Sequence, residues 1–363
     1  MTDPQEEMRS TPKPFRPSLR VLSTVAAIAL AAVLLYFSLR GIEWRRVGQI
    51  LASARLPYVF FCCLLFSLTL FLRAFRWRIL LSSEGKVSVP LAFWATAAGY
   101  FGNNFLPARA GEVVRTMMIS ARSTLSKTFV LTTALCERLA DAIALVTISA
   151  IVLLTIPFRP GWLAAAAKPF AIAGVLGIVA LAVLPYLDNL SKILLKAAPL
   201  PPFLRERLQN LIDHIPRGIR SFHHPGRLSG FLGLTAVIWC FDAITTIVGA
   251  RALHLSIGLP VAFLLIAALG LGSALPSTPG YVGIYQFIAV NVLTPFGMSR
   301  TDAIAYILFA QALNYVIIGL WGLTAIWRHR RTRPVESTAI SSNQEIDVVG
   351  EVSAPEVRFL KPQ

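Results

Sequence analysis

The stretches VPLAFWATAAGYFGNNFLPARAGE at residues 89–112 and LPVAFLLIAALGLGSALPSTPGY at residues 259–281 decide the fold of this chain. Both open with Pro-x-Ala-Phe, continue through small apolar residues and close on Pro-x-x-x-Gly. Membrane helices rich in Gly and Pro resemble one another by composition alone, but here the order of the matched residues is kept. Broken hydrophobic segments at matching positions of two halves point to a transporter's binding site. The matched residues are Pro90, Pro107 and Gly111, and then Pro260, Pro276 and Gly280.

The composition is that of an integral membrane protein. Of the 363 residues, 55% are hydrophobic and only 14% are charged, whereas a soluble domain carries about 25% charged residues. The net charge of +16 therefore lies in a few polar segments. It indicates cytoplasmic loops and attraction to anionic lipid headgroups at the cytoplasmic face. Nucleic acid is not an expected partner, because no basic segment is both soluble and rich in stacking aromatics.

The apolar runs predict an all-α membrane helix bundle with six full spans. The residues between 111 and 127 are too polar to cross lipid, so segment 90–107 is expected to enter and return as a re-entrant hairpin. The second matched segment is expected to do the same. The alternative is eight spans, with crossings at 259–275 and 281–297. The six spans of the preferred interpretation are 22–39, 57–72, 129–156, 170–187, 230–250 and 303–327.

The polar segments set the expected domain limits and topology. We expect a disordered tail at 1–19, a membrane domain at 20–327 and a basic, then polar tail at 328–363. The halves of the membrane domain would be 20–156 and 169–327. Three spans per half invert the second copy, so the two hairpins would enter from opposite sides. The positive-inside rule places both termini and the basic loop 188–229 in the cytoplasm. Residues 204–219 of that loop are expected to form an amphipathic surface helix. The arginines Arg40, Arg45, Arg46 and Arg55 count against this topology, because it places them outside.

Three ionisable residues interrupt the span at 129–156. Glu137 and Asp141 are four residues apart and share one helix face, while Arg138 points about 100° away. Charges at membrane depth cost about 2.5–3.5 kcal/mol each on insertion scales and are functional hypotheses by default. A buried ion network with only a structural role is the alternative. The expected cationic partners are Arg73 and Arg76, placed near one membrane face, and Arg109 and Arg115 beside the first hairpin.

The tips of the two hairpins are expected to be polar. Because proline disfavours helix in the residue before it, the backbone around Asn103 and Asn104 should unwind near Pro107, unless the two asparagines merely cap a helix. Glu112 and Arg115 either begin a helix or hold an anionic group at its N-terminus. The further candidates for the substrate pathway are Ser277, Thr278, Tyr281 and Gln286 at the second tip, with Asp242 and Asn314 on later spans. Gln311 shares a helix face with Asn314, but hydrogen bonding between helices is the preferred interpretation for it.

The sequence contains no enzyme motif. There is no G-x-S-x-G, HExxH, P-loop or Rossmann glycine pattern, and the four cysteines and five histidines show no metal-ligand spacing. We therefore expect neither an enzyme nor a cofactor nor a metal site.

Three motifs together resemble one family. GYFGNNFLPARAGEVVR at 99–115, ERLAD at 137–141 and PSTPGYVG at 276–283 are similar to the lysylphosphatidylglycerol synthase transmembrane region family. The resemblance implies a flippase-like protein of a bacterial or archaeal inner membrane, related to the flippase half of the multiple peptide resistance factor. Other members are linked to hopanoid or polyprenyl-linked lipids. Its motif positions here are Asn104, Pro107, Gly111, Glu112, Arg115, Glu137, Arg138, Asp141, Pro276, Pro279, Gly280 and Gly283.

The chain departs from the family pattern at the second tip. Where the family often has a second glycine and, a few positions on, an acid, this chain has Tyr281 and Gln286. An acid-dependent role of that tip is therefore not expected. The short C-terminal tail leaves no room for the soluble aminoacyl-transferring domain, so lysyl transfer to lipid is not expected either.

The combined expectation is a lipid translocase for an amphiphile with an anionic headgroup, or for an isoprenoid-type lipid. Arg73, Arg76, Arg109 and Arg115 would attract the headgroup, and the tips at Asn103 and Ser277 would gate its passage. Glu137 and Asp141 would tune charge or carry a proton. Two alternatives remain: a membrane-embedded transferase with Glu137 or Asp141 as base, and an accessory subunit that partners a lipid-synthesis enzyme.

Overall fold

The structure of the protein, a computed structural model, describes residues 19–106, 110–157, 161–183, 224–274 and 279–331. Within these ranges the regular structure is helical and contains no strand, which confirms the all-α prediction. Two short 3₁₀ turns, Pro279–Tyr281 and Thr294–Phe296, accompany the α-helices. The α-helices are α1 (Leu19–Leu39), α2 (Trp44–Ala52), α3 (Leu56–Leu81), α4 (Val89–Phe105), α5 (Gly111–Ser120), α6 (Lys127–Thr155), α7 (Gly161–Val183), α8 (Pro225–Ala252), α9 (Leu259–Gly272), α10 (Ile284–Leu293) and α11 (Arg300–Arg331).

Five of these helices are long and apolar enough to cross a membrane, namely α3, α6, α7, α8 and α11. They cover five of the six predicted spans. The remaining predicted span, 22–39, falls within α1, which is 21 residues long. The chain is therefore a multi-pass membrane protein. Of the predicted basic loop 188–229, residues 188–223 lie outside the described residues, as does the whole predicted surface helix 204–219, while residues 225–229 form the start of α8.

Three helix limits differ from the prediction. Helix α3 continues from residue 72 to Leu81, so Arg73 and Arg76 lie inside the helix and not beyond its end. Helix α7 begins at Gly161, within the predicted turn 157–168, and α11 runs on through Arg331. The prediction placed boundaries at the charged residues, but helical backbone needs no apolar side chains. Arginine is in fact a good helix former.

The two matched segments fold alike, each as a pair of short helices separated by a break. Helices α4 and α9 begin one residue before the matched prolines, at Val89 and Leu259. Their 17 and 14 residues correspond to about 26 and 21 Å at 1.5 Å per residue. Helices α5 and α10 have 10 residues each, about 15 Å. None of the four reaches the ~30 Å of a hydrocarbon core.

Contacts between helix ends place the two segments at opposite ends of the bundle. Arg122, which follows α5, donates a hydrogen bond to the carbonyl of His329 near the end of α11, at 3.0 Å. At the other end, the Arg55 amide before α3 donates to the carbonyl of Ala252, the last residue of α8, at 2.8 Å. Helix α5 therefore ends where α11 ends. The start of α4 lies there too, because the Arg328 guanidinium lies over the ring of Trp94, whereas the α9–α10 pair starts where α8 ends. Their inner ends meet, because the turn Pro279–Tyr281 packs against α4.

Glycines bring the backbones of α4 and α5 into direct contact. A Cβ atom at Gly102 would lie 2.8 Å from the Cα of Gly111. A Cβ atom at Gly111 would overlap the backbone carbonyl of Gly99. The matched Gly111 of the sequence motif is therefore required by close packing of the hairpin.

We expect Gly111→Ala to lower the thermal stability of the purified protein in detergent. The added methyl group has no space and forces the two helices apart, a change that typically costs about 1–3 kcal/mol. Gly319→Ala is the matched control, because a Cβ atom at this α11 glycine meets nothing within 4 Å. The control should be neutral or stabilising by up to about 1 kcal/mol. Equal melting temperatures for the two variants would contradict the packing argument.

Candidate functional site

Eight charged side chains in the middle of the bundle form a continuous chain of alternating sign, here called the ion chain. Neighbouring members are joined by ion pairs of 2.5 to 4.0 Å. With four arginines and four carboxylates, the ion chain is neutral as a whole. Its members in order are Asp242, Arg73, Asp141, Arg76, Glu137, Arg115, Glu112 and Arg138.

Arg76 of α3 is the centre of the ion chain. Its side chain is fully buried, and its two terminal nitrogens donate to both carboxylate oxygens of Asp141 at 2.6 and 2.9 Å. One nitrogen also donates to Glu137 at 2.8 Å, and the other to the hydroxyl of Thr235 on α8 at 3.1 Å. The fixed fork of a guanidinium suits such bidentate pairing. Arg76 therefore links α3, α6 and α8.

The ion chain continues from α6 to the first hairpin. The second carboxylate oxygen of Glu137 accepts from Arg115 at 2.8 Å, and Arg115 donates to Glu112 at 2.5 Å. Glu112 also accepts from Arg138 at 2.9 Å and from the amide of Asn103 at 3.3 Å. The hairpin α4–α5 is thus fixed to α6 by charge as well as by packing.

At its other end the ion chain joins the two halves of the protein. Arg73 of α3 donates to Asp242 of α8 at 2.5 Å and lies 4.0 Å from Asp141. Its guanidinium also lies over the ring of Trp239, 5.1 Å from the centroid, and 6.0 Å from the Tyr100 ring. Such cation–π contacts favour a cation at a partly dry position.

Exposure increases from the middle of the ion chain towards its ends. The side chains of Arg76 and Arg115 are 0% and 1% exposed. At the ends, Asp242 is 18% exposed and Arg138 is 34% exposed. The central members therefore serve as a buried support, while the terminal members are accessible to a ligand.

The terminal members line a cavity of about 890 Å³ to which both halves contribute. Three residues at its margin, Val113, Leu135 and Leu139, are also among the exposed large hydrophobic side chains. Apolar side chains at the rim suit contact with lipid, and the charges inside suit a polar group. The polar residues that line the cavity include Arg73, Tyr100, Asn103, Asn104, Glu112, Arg138, Asp141, Asp242, Tyr281, Gln311 and Asn314.

The second break has a polar support of its own, built from amides. The side-chain oxygen of Gln286 accepts from the backbone N–H of Gly283 at 2.7 Å, and its nitrogen donates to Gln311 at 2.6 Å. Gln311 in turn donates to the carbonyl of Gly280 at 3.1 Å, and the hydroxyl of Tyr315 donates to that same carbonyl at 2.6 Å. The polar contacts at the second break are therefore made by uncharged groups, whereas at the first break Glu112 supplies a carboxylate.

The backbone of this break requires glycine. Gly280 and Gly283 have φ angles of +73° and +90°, which side-chain-bearing residues rarely adopt. Tyr281, which stands where the family often has glycine, has φ of +61°. Its ring stacks on that of Tyr285, with centroids 4.9 Å apart.

The structure places nine of the sequence-derived candidates on the cavity wall and four behind it. Arg76, Arg115 and Glu137 lie in the buried part of the ion chain, and Gln286 lies behind the second break. The candidates Arg109, Ser277 and Thr278, like the motif residues Pro107 and Pro276, lie outside the described residues. The nine on the wall are Arg73, Asn103, Asn104, Glu112, Arg138, Asp141, Asp242, Tyr281 and Asn314.

The prediction that Asn103 and Asn104 lie in unwound backbone is wrong. Helix α4 continues through both and ends at Phe105, because the restriction that proline imposes acts chiefly on the residue just before it. The Asn103 side chain accepts a hydrogen bond from the Gly111 amide at 3.1 Å. It therefore caps the start of α5 and lines the cavity at the same time.

Several residues that contact the ion chain are not among the sequence-derived candidates, including Tyr100, Thr235, Trp239, Trp77 and Phe231. Two of them had a detectable signal, because Tyr100 precedes Asn103 and Trp239 precedes Asp242 by three residues, so each pair shares a helix face. Thr235 had none, since its role depends on how α8 packs against α3. In the described part of the chain, no group of three or more His, Cys, Asp or Glu side chains is placed to hold a metal ion.

The chain matches a known protein family over most of its length. The model of the family described as Lysylphosphatidylglycerol synthase TM region covers residues 24–322. This range includes all eight members of the ion chain and both matched segments. No curated protein matches the chain.

We expect Arg76→Leu to destabilise the protein strongly. Removing one partner of a buried ion pair leaves uncompensated charge, here on Glu137 and Asp141, which typically costs about 3–5 kcal/mol. Melting temperature and yield of monodisperse protein in detergent measure the effect. Arg76→Lys should be intermediate, because lysine keeps the charge but not the bidentate geometry.

The matched control is Arg46→Leu. Arg46 pairs with Asp302 at 3.1 Å but is 51% exposed, and exposed pairs contribute about 0–1 kcal/mol. If Arg76→Leu lowered stability no more than Arg46→Leu, the ion chain would not be a stabilising element.

Proposed function

The chain belongs to the lysylphosphatidylglycerol synthase TM region family, and we propose that it is a lipid translocase without catalytic chemistry of its own. The substrate would be an amphiphile with an anionic headgroup or an isoprenoid-type lipid. Its headgroup would cross through the cavity while its tails remain in the bilayer. The observation that carries this proposal is a cavity with charged residues inside and exposed apolar residues at its margin.

The proposed topology has six spans and two re-entrant hairpins, with the second half inverted. It is supported by the lengths of α4, α5, α9 and α10, which are all too short to span, and by the opposite ends at which the two pairs begin. If the second segment crossed the bilayer twice, α9 and α10 would each have to span the hydrocarbon core of ~30 Å. They are only about 21 and 15 Å long. The basic end of α11 supports a cytoplasmic C-terminus in the inner membrane.

Arg138 is the proposed first contact for the headgroup. It is the most exposed cation of the ion chain, and its guanidinium lies 5.3 Å from the centroid of the Tyr100 ring. A phosphate oxygen would replace Glu112 as its acceptor, exchanging one charge-assisted hydrogen bond for another of similar strength. Arg73, which also lines the cavity, would be the next contact. Because the ion chain is neutral, the anionic headgroup adds one negative charge, and contact with Arg138 and then Arg73 would offset the cost of burying it.

Glu137 and Asp141 are proposed to position arginines. Glu137 accepts from both Arg76 and Arg115, and Asp141 accepts from Arg76 through both oxygens. A carboxylate with two guanidinium partners is a poor proton carrier, since protonation would break both pairs. We therefore propose charge tuning as their role, in preference to proton transfer.

Translocation can be measured with the full chain in vesicles that contain a trace of fluorescent phosphatidylglycerol. A membrane-impermeant reductant bleaches the outer leaflet, and translocation exposes the inner-leaflet lipid to it. We expect Arg138→Gln to slow translocation about tenfold or more, because a hydrogen bond to a charged group contributes about 1.5–3 kcal/mol. Vesicles should be tested with and without an imposed proton gradient.

Arg46→Gln is the control, because Arg46 lies at the exposed end of the bundle. Equal rates for wild type, Arg138→Gln and empty vesicles under both conditions would overturn the proposal. Chemical conversion of the labelled lipid would indicate a transferase. Activity that appears only with a co-purified enzyme would indicate an accessory subunit.

A further inference from the structure

A second, smaller pocket lies away from the ion chain, at the end of the bundle where α4 begins and α11 ends. Its volume is about 280 Å³, and we call it the terminal pocket. Ile318 of α11 lines the main cavity, and Ala325, seven residues later, lines the terminal pocket. The linings of the two sites therefore come within about 10 Å of each other along α11.

Basic residues surround the terminal pocket. Arg122 and Arg328 both line it. Arg122 donates to the carbonyl of His329 at 3.0 Å, which places the two arginine-bearing segments side by side. Among the described residues that line this pocket, none is acidic. A negatively charged group would complement it.

Two further side chains suit a lipid headgroup. The Arg328 guanidinium lies over the ring of Trp94, 5.1 Å from its centroid, and tryptophan is typical of the membrane–water interface. The Nδ1 atom of His329 is buried and has no hydrogen-bond partner among the described residues. The His329 residue itself lines the pocket.

The remaining lining is apolar and includes Leu91, Met118 and Ala325. A pocket lined by both apolar side chains and two arginines suits the glycerol and upper acyl region of a lipid better than a free inorganic anion. Basic pockets between membrane helices on the cytoplasmic side are known to bind anionic headgroups.

We propose that the terminal pocket is a binding site for the phosphate headgroup of an anionic lipid of the adjacent leaflet. Arg122 and Arg328 contact the phosphate, Trp94 packs against the glycerol region, and His329 contributes a further hydrogen bond. This site is separate from the cavity through which the substrate is proposed to pass. The lipid bound there is a ligand of the protein, whatever the transported lipid is.

The test measures binding to the purified full chain in detergent. The probes are dioctanoyl phosphatidylglycerol, dioctanoyl phosphatidylcholine and inorganic phosphate, and the readouts are thermal shift and native mass spectrometry. We expect saturable binding of phosphatidylglycerol, and a loss of affinity of about tenfold or more in the Arg122→Gln/Arg328→Gln double variant.

Arg330→Gln is the matched control, because Arg330 is exposed at the same helix end and does not line the pocket. It should bind like wild type. The single variant Arg328→Gln retains the Arg122–His329 hydrogen bond, so reduced binding by this variant cannot be attributed to loss of that contact.

Three outcomes would overturn the proposal. They are unchanged affinity in the double variant, equal stabilisation by phosphatidylcholine, and equal stabilisation by inorganic phosphate, which would indicate a site for a free anion. None of these readouts depends on lipid translocation, so this proposal and the translocase proposal fail separately.

Discussion

The constraint on which this structure depends is neutrality inside a bundle that sits in lipid. Eight ionisable groups at membrane depth would each cost about 2.5–3.5 kcal/mol if left alone. Here every arginine of the ion chain has a carboxylate neighbour, and every carboxylate has an arginine. Because the partners come from α3, α5, α6 and α8, pairing the charges also sets the arrangement of these four helices. The cavity lies where this pairing becomes accessible.

Much of the fold could be predicted from the sequence. Long apolar runs gave the positions of the spans, and the matched prolines Pro90 and Pro260 marked the starts of α4 and α9 to within one residue. Helix ends within charged sequence could not be predicted. Whether the arginines of α3 can be buried depends on the carboxylates that Arg73 and Arg76 meet, and those carboxylates lie on other helices.

The parts of the site that depend on residue spacing within one helix could be predicted from the sequence. The four-residue spacing of Glu137 and Asp141 was enough to place them on one face, and both meet Arg76 there. The order of the ion chain was not predictable, because Glu112 reaches Arg138 only when α5 packs beside α6 and the glycine contact with α4 holds α5 in place. Thr235 likewise contributes only through the packing of α8 against α3.

The position of Asp242 in the chain has a consequence for biogenesis. Seven members of the ion chain lie between Arg73 and Asp141, whereas Asp242 follows 101 residues later. Chains emerge from the ribosome N-terminus first, so α3, α5 and α6 are available to one another before α8 is made. At that stage the ion chain has four arginines but only three carboxylates. The incomplete ion chain therefore carries one excess positive charge, which Asp242 neutralises when α8 is inserted.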